Sequence, residues 1–302
     1  MNKNRLGLSE LYISEMGLGC MSLGTDESKA IPIIQEALEQ GINFLDTADL
    51  YDAGINEEIV GKAIHNRRAD VILATKVGNR REAGVEGWSW DPSKQYIKTA
   101  VKESLRRLQT DYIDLYQLHG GTLDDPIDET IEAFEELKEE GLIRYYGISS
   151  IRPNVIREYV KRSNIVSVMS QYSILDRRPE EEILPLLQEH GISVIERGPL
   201  ANGILTDKGR MKAEKGYLEY SREELLALLD QLHNLTGSTR DIAHFALRYP
   251  LYHPAVAAAI PGASSLNQLL HNIASFGSER LTMDEYEKIR QISRPNQYTL
   301  HR

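Results

Sequence analysis

Residues 43–51 read NFLDTADLY, and this stretch carries the pattern on which the fold interpretation depends. A short apolar run ends at Asp46, and Tyr51 follows in the next segment. The pattern recurs in ILATK, which ends at Lys76, and in LYQLHG, which contains His119. Each run has the length and the β-branched or apolar content of a buried strand. We therefore expect Asp46, Lys76 and His119 to stand at the carboxyl ends of three different strands.

Strand-like and amphipathic helical runs alternate along the chain. The predicted strands are Glu15–Gly19, Asn43–Asp46, Val71–Thr75, Ile113–Leu118, Tyr145–Ser149, Val166–Gln171, Ser193–Glu196 and Val256–Ile260. The predicted helices are Ser28–Gln40, Asn56–Ile64, Ser93–Leu108, Asp128–Glu140, Asn154–Lys161, Pro179–Glu189, Thr239–Arg248 and Leu266–Phe276. Glycine follows three of these helical runs, which is typical of C-terminal caps with positive φ, at Gly41, Gly141 and Gly191.

Eight strand–helix units favour an α/β fold, a (β/α)8 TIM barrel, because every strand is short and is flanked by helices that can cover its outer face. An open doubly wound sheet is the alternative. RLGLSELYIS is predicted to form an N-terminal β-hairpin that plugs the barrel bottom. Ser221–Asn234 and Thr282–Ile292 are predicted to be extra helices, after the seventh strand and at the C-terminus. Without a repeat, low-complexity tract or linker, we expect residues 1–302 to form one domain.

Composition narrows the classes of protein. The net charge is −10 and the pI is near 5.4, whereas a nucleic-acid binder needs a clustered excess of lysine and arginine. Cys20 is the sole cysteine, so no intrachain disulfide is expected and a reducing cytoplasm fits. The N-terminus has no apolar signal region, and no apolar run approaches the length of a membrane span. We expect a cytoplasmic protein with no nucleic-acid or membrane partner.

In a parallel barrel the carboxyl ends of all strands surround one mouth, so Asp46, Tyr51, Lys76 and His119 are expected to meet there. A lysine is costly to bury without a counter-charge, and Asp46 supplies one. A Lys–Asp pair beside Tyr51 would favour the phenolate, and this phenol could then serve as a general acid or base. His119, if neutral, can hydrogen-bond a substrate oxygen. Each residue alone has an ordinary structural explanation, but together they indicate a proton-transfer enzyme.

These segments resemble those of the aldo-keto reductases, a family of nicotinamide-dependent oxidoreductases on the (β/α)8 barrel. The resemblance runs from MGLGCMSLG to IPGASSLNQLLHNI. It suggests a bacterial NADPH-dependent member, similar to the branch that includes potassium-channel β subunits. It implies reduction of aldehydes or ketones, with Tyr51 as proton donor, Asp46 and Lys76 tuning it, and His119 positioning the carbonyl. The implied cofactor is NADP(H), with NAD(H) less favoured, and Asp46 also counts among the cofactor contacts.

The resemblance further implies a cofactor extended across the barrel mouth. A first loop would run beneath the nicotinamide, Ser149 and Gln171 would contact its carboxamide, and Lys208 would reach the phosphates. The segment ERGPLANGILTDK would cross the pyrophosphate, and IPGASSLNQLLHN would hold the adenosine 2′-phosphate near a helix N-terminus, where anions are favoured. The implied contacts are Gly19, Cys20, Met21, Ser149, Gln171, Arg197, Gly198, Pro199, Leu200, Gly203, Lys208, Gly262, Ser264, Gln268 and Asn272.

Three positions depart from the family pattern. Ser150 stands where many relatives have asparagine, and His271 stands where relatives often carry glutamate. Arg197 takes the place of an aromatic residue that stacks on the nicotinamide, although a planar guanidinium can also stack on a ring. The segment that would hold the 2′-phosphate contains neither lysine nor arginine, so the implied preference for NADP(H) is weaker than a charged clamp would give.

Other functions remain as alternatives. Gly17-x-Gly19-x-x-Ser22 lacks the third glycine of a Rossmann motif, and no Tyr-x-x-x-Lys motif of short-chain dehydrogenases occurs. The histidines are dispersed, so no metal site is predicted. One rival is a cofactor-binding regulatory or sensor module with little turnover. A second is a metal-dependent barrel hydrolase that uses Asp46 and His119.

The carbonyl substrate, a small molecule, cannot be identified from these residues. Specificity is expected to come from Val77–Pro92, which contains Trp88 and Trp90, and from the C-terminal tail Asn296–Arg302. The two tryptophans either line an aromatic substrate wall or pin a long loop. The oligomeric state and the physiological direction of the reaction stay open.

Overall fold

The computed structural model describes residues 1–81, 87–237 and 240–302, and a barrel of eight parallel strands forms its centre. The barrel strands are β1 Leu18–Gly19, β2 Phe44–Asp46, β3 Ile72–Val77, β4 Ile113–Leu118, β5 Ile143–Ser149, β6 Ser167–Gln171, β7 Ser193–Arg197 and β8 Val256–Ile260. Each strand pairs with the next one along the chain. Parallel bridges from Met16 to Ala259 and from Gly19 to Gly262 join the first strand to the last. The predicted closed barrel is confirmed, and the open doubly wound sheet is wrong.

Ten α-helices occur among the described residues. They are α1 Glu27–Glu39, α2 Ile55–Ile64, α3 Lys94–Leu108, α4 Ile127–Glu139, α5 Pro153–Arg162, α6 Ile183–Glu189, α7 Arg222–Thr236, α8 Ile242–Arg248, α9 Leu266–Phe276 and α10 Met283–Ile292. The extra helices predicted after the seventh strand and at the C-terminus are α7 and α10. None of the described helices has the length and apolarity needed to cross a membrane.

Helix starts differ from the prediction where side chains cap them. Ser93, Ser221 and Thr282 lie just outside their helices, and their side-chain oxygens accept hydrogen bonds from the third backbone N–H of the helix. The helix predicted from Pro179 begins at Ile183, because residues 178–180 form a 3₁₀ turn instead. The helix predicted from residue 239 begins at Ile242, and residue 239 itself lies outside the described residues. The three predicted cap glycines all have positive φ.

Two apolar layers build the interior. One lies between the strands and the surrounding helices, and the other fills the barrel itself. The N-terminal hairpin pairs Lys3–Arg5 with Tyr12–Ser14 in antiparallel fashion. Its Leu6, Leu11 and Ile13 join the barrel cluster, so the expected plug at the barrel bottom is present. The members of the barrel cluster are Leu6, Leu11, Ile13, Phe44, Ala74, Leu115, Val166, Met169, Ile195, Ala257, Ala258 and Ile260.

Strand alternation places the polar site directly above this apolar filling. Side chains two residues apart on a strand point to the same face. Phe44, Ala74 and Leu115 point into the barrel. The residues two positions further on, Asp46, Lys76 and Gln117, therefore point inward as well, one level closer to the mouth. All three are buried.

Candidate active site

The Lys76 ammonium is the centre of the polar cluster at the mouth. Its Nζ donates to the Asp46 carboxylate at 2.5 Å, to the Thr47 carbonyl at 2.8 Å and to the Tyr51 hydroxyl at 3.2 Å. These contacts use all three of its protons. Burial acts to lower the pKa of Lys76, but the neighbouring Asp46 and Tyr51 raise it above its ordinary value. The ammonium is therefore charged and fixed in orientation.

Asp46 has a second partner that the sequence analysis did not identify. Gln117 donates from Nε2 to the other Asp46 carboxylate oxygen at 3.2 Å. Gln117 is fully buried and lies two residues before His119 on β4. A glutamine near the carboxyl end of a buried strand was the signal available in the sequence. Since both carboxylate oxygens are occupied, Asp46 serves as the counter-charge of Lys76.

The loop that carries Tyr51 has a strained backbone, which hydrogen bonds keep in place. Asp52 and Ala53 have φ values of 49° and 56°, and Gly54 follows at 91°. Two successive non-glycine residues in the left-handed region are unfavourable and persist only where the surroundings impose them. Thr47 donates to the Asn56 side chain at 2.7 Å, and Asn56 donates to the Cys20 carbonyl at 2.9 Å. The phenol is thus presented by a braced turn.

His119 completes the predicted set of four. Its ring meets the Tyr51 ring edge-on, with centroids 5.8 Å apart. Its backbone N–H donates to the Val77 carbonyl at 2.7 Å, and its buried Nδ1 has no hydrogen-bond partner among the described residues. Burial, followed by the charges of Lys76 and Arg197, lowers the pKa of His119 to about 3. The imidazole is therefore neutral near pH 7. The structure brings Asp46, Tyr51, Lys76 and His119 together in one site.

Trp90 packs beside this site. A Cβ on Gly78 would come within 2.5 Å of its ring, and a Cβ on Gly120 within 3.3 Å, so the six-membered ring of the indole lies against the backbone just beyond β3 and β4. Its Nε1 donates to Asp125 at 2.9 Å. Trp88, in contrast, is 56% exposed. Of the stretch expected to set specificity, residues 82–86 lie outside the described residues.

The residues expected near the nicotinamide are distributed over β5, β6 and β7. Ser149 and Gln171 end β5 and β6, and Arg197 ends β7. Arg197 Nη1 donates to the Gln171 Oε1 at 3.2 Å, so these two residues meet. Ser150, which replaces the asparagine of many relatives, is buried, and its Oγ accepts from the backbone N–H of Arg152 at 3.1 Å. Ser150 therefore stabilises the turn, and it has no side-chain amide to offer at the mouth as the asparagine of many relatives has.

The residues expected near the pyrophosphate lie in the loop after β7. Pro199 is buried, Leu200 is half-buried against the core, and Gly198 is exposed. Gly203 lies against Lys212, whose Nζ donates to the Asn202 carbonyl at 3.2 Å. The lysine seen crossing this loop is therefore Lys212, which the sequence analysis did not identify. The predicted Lys208 is exposed at the start of the next 3₁₀ turn.

The strand-eight segment forms a polar corner at the start of α9. Ser264 donates from both its backbone N–H and its Oγ to the Gln268 side chain, at 2.8 and 2.9 Å. Asn272 is buried and donates to the Gly262 carbonyl at 3.2 Å, so it holds this loop. His271 is exposed, and its Nε2 lies 3.5 Å from the Asp241 carboxylate.

The three cofactor contacts predicted in the loop after β1, at Gly19, Cys20 and Met21, lie in different environments. Gly19 pairs with Gly262 across the barrel closure, and Met21 is 63% exposed. The Cys20 thiol is fully buried in the layer between strands and helices. Only the backbone of Cys20 can therefore face the mouth.

Comparison with known proteins decides the family. The model of the aldo/keto reductase family matches residues 15–294. The chain belongs to the aldo/keto reductase family. This aldo/keto reductase is 60% identical, over 100% of both chains, to an uncharacterized oxidoreductase, YqkF, of Bacillus subtilis (strain 168).

Solved structures of the family share its fold. The holo form of the aldo-keto reductase AKR11C1 from Bacillus halodurans is 60% identical to the reductase, with a TM-score of 0.95 over 100% of this chain and 99% of that chain. An aldo/keto reductase from Klebsiella pneumoniae, solved in complex with NADP and acetate, is 27% identical, with a TM-score of 0.79 over 99% and 98% of the two chains.

The neutral state of His119 predicts how the reductase responds to acid. In the unfolded chain a histidine has a pKa of about 6.5, so the unfolded state takes up a proton at a pH where folded His119 does not. Stability from this residue is therefore lost as the pH falls from about 6.5 towards about 3. We expect His119→Asn to flatten the fall in unfolding free energy between pH 7 and pH 4.5, measured by urea denaturation. Equal slopes for wild type and variant would contradict this, and the exposed His65→Asn is the matched control.

Proposed function

We propose that this aldo/keto reductase reduces aldehydes or ketones to alcohols with NADP(H), and that Tyr51 is the proton donor. One observation carries the proposal: the buried Lys76 ammonium donates at once to Asp46 and to the Tyr51 hydroxyl. A cation bonded to the phenolic oxygen stabilises the negative charge that remains there when its proton leaves. The neutral His119 is suited to donate a hydrogen bond to a carbonyl oxygen and to orient it.

The donor set of the chain fits a nicotinamide dinucleotide. Hydroxyl and amide side chains, Ser149 and Gln171, end the strands beside the catalytic residues and suit a carboxamide. Ser264 and Gln268 stand where the N-terminus of α9 offers backbone N–H groups to an anion. When bound, the cofactor supplies the hydride that adds to the carbonyl carbon. Arg197 and Gln171 would hold the nicotinamide end, and the loop after β7 would cover the phosphates.

The preference for NADP(H) over NAD(H) is part of the proposal. The related Klebsiella pneumoniae protein was solved with NADP. In this chain Ser264 and Gln268 would meet the 2′-phosphate without a lysine or arginine in the same segment. We therefore expect a moderate preference, measurable as the ratio of kcat/KM for NADPH and NADH.

A steady-state assay with 4-nitrobenzaldehyde and NADPH tests the function directly. Oxidation of NADPH that depends on the aldehyde, with 4-nitrobenzyl alcohol as product, supports the reductase. Tight binding of NADPH with negligible turnover would instead favour the sensor module, and activity that needs no cofactor and is abolished by EDTA would favour the hydrolase.

Trp90 predicts a dependence on substrate shape. Because its ring lies against Gly78 and Gly120, which closely follow Lys76 and His119 in the chain, we expect it to form one wall for the group attached to the carbonyl. Trp90→Ala should raise KM for 4-nitrobenzaldehyde by about tenfold, since loss of a packed aromatic contact costs roughly 1–3 kcal/mol. The KM for propanal should change much less. Trp88→Ala is the matched control, and an equal effect of both substitutions on the aromatic aldehyde would contradict the assignment.

A further inference from the structure

Gln171 at the end of β6 has a partner at each end of its amide. Arg197 Nη1 donates to Oε1 at 3.2 Å, and Nε2 donates to the Tyr217 hydroxyl at 3.0 Å. Gln171 and Arg197 are also direct neighbours across the parallel β6–β7 pair. Tyr217 belongs to the long loop between β7 and α7, and the sequence analysis did not single it out.

These two contacts fix which way the amide faces. A guanidinium can only donate hydrogen bonds, so the amide oxygen of Gln171, and not its NH₂ group, must face Arg197. Burial, with a further contribution from Asp176, raises the pKa of Tyr217, and its hydroxyl stays neutral and able to accept. A primary amide offers two N–H donors and two oxygen lone pairs. With one of each engaged, Gln171 retains one N–H donor and one oxygen lone pair, the two groups that a second primary amide can pair with.

Tyr217 is itself held in place by a turn and by the segment that follows α10. Its backbone exchanges two hydrogen bonds with Tyr220, at 3.1 and 2.9 Å, which closes a tight turn over residues 216–220. The Tyr220 hydroxyl accepts from the backbone N–H of Arg294 at 2.6 Å. Arg294 Nη1 donates to the Glu219 carbonyl at 2.7 Å, and its guanidinium lies 5.1 Å from the centre of the Tyr220 ring. The segment after α10 thus anchors the turn that presents Tyr217.

We propose that Tyr217 and Arg197 together lock the Gln171 amide so that it recognises the primary carboxamide of the nicotinamide, with Tyr217 acting as a positioning residue. This inference rests on the proposed function and deepens it, because it assigns the discrimination between a carboxamide and other ring substituents to a residue that acts through Gln171. Arg294 supports the same arrangement indirectly, because its hydrogen bonds hold the turn at residues 216–220 that carries Tyr217.

Cofactor binding without turnover tests the inference. The dissociation constants of NADP⁺ and of its 3-acetylpyridine analogue, in which a methyl group replaces the carboxamide NH₂, are measured by calorimetry on the full chain. We expect wild type to bind NADP⁺ about tenfold more tightly than the analogue, the effect of one well-placed hydrogen bond. In Tyr217→Phe, which keeps the ring and removes the hydroxyl, this ratio should fall to about twofold.

Two further variants complete the design. Arg294→Ala loosens the turn without altering Tyr217 and should lower the ratio in the same direction, which keeps the test decisive if Tyr217→Phe folds poorly. Tyr12→Phe, on the exposed face of the N-terminal hairpin, is the matched control and should leave the ratio unchanged. A wild-type ratio preserved in Tyr217→Phe and Arg294→Ala would overturn the inference while leaving the reductase function intact. Failure of wild type to bind either cofactor would overturn both.

Discussion

Tyr51→Phe is expected to lower kcat for aldehyde reduction by about 10²–10⁴-fold, the usual contribution of a positioned general acid. The substitution removes one oxygen atom and keeps the ring, which lies 4.9 Å from the Lys76 ammonium and edge-on to His119. Those contacts hold the ring in place, so the loss should appear in the chemical step. The dissociation constant for NADPH, measured by fluorescence titration, should change by less than about twofold, because the phenyl ring still fills the site.

The Tyr51 prediction has a matched control at the opposite end of the barrel. Tyr252 precedes the amino end of β8, and its hydroxyl meets only the Met283 sulfur among the contacts of the described residues. Tyr252→Phe should therefore leave kcat unchanged. Turnover of Tyr51→Phe within tenfold of wild type would rule out Tyr51 as the proton donor.

Lys76→Met is expected to have two effects, one on catalysis and one on stability. In the proposed mechanism the ammonium stabilises the phenolate that remains when Tyr51 gives up its proton, so its loss should lower kcat by at least about 10²-fold. The Asp46 carboxyl, 3% exposed, would lose its counter-charge, and breaking a buried ion pair in this way costs roughly 3–5 kcal/mol. Urea denaturation at pH 7 measures this loss. The cost should shrink as the pH falls towards about 4, because a protonated Asp46 no longer needs a partner.

A double variant separates the two effects of Lys76. Lys76→Met with Asp46→Asn removes both charges, and Gln117 can still hydrogen-bond the new amide oxygen. We expect it to regain much of the unfolding free energy while reduction stays low. If the single variant were as stable as wild type at pH 7, the pair would not be charged as described.

Most of the architecture could be predicted from local sequence patterns. Short apolar and β-branched runs give the strands, and β4 and β8 begin and end where the sequence places them. Amphipathic periodicity gives the helices, including the extra α7 and α10. The meeting of Asp46, Lys76 and His119 at the barrel mouth could also be predicted, because a polar residue at the carboxyl end of a barrel strand stands there. The helix starts were predicted less accurately, because the sequence alone does not tell whether a serine caps a helix or is its first residue.

Contacts between distant segments could not be predicted in this way. Gln117 as a partner of Asp46 requires the alignment of two strands 71 residues apart in sequence. Tyr217 lies in an aperiodic loop, and its link to Gln171 and Arg294 depends on how that loop crosses the mouth. The tail shows the same limit: Asn296 accepts from the backbone N–H of Arg177, and the His301 carbonyl accepts from Asn154. No property of the tail sequence alone specifies these partners.

The complete set of hydrogen bonds at Lys76 has a consequence for an enzyme with the proposed aldehyde substrates. A free amine attacks an aldehyde and forms a Schiff base, but only through a nitrogen lone pair. The Lys76 nitrogen has none to offer, because it is protonated and all three of its hydrogens point at oxygen atoms of the protein. Lys76 is thereby kept from condensing with the aldehyde that the proposed function gives the enzyme as substrate.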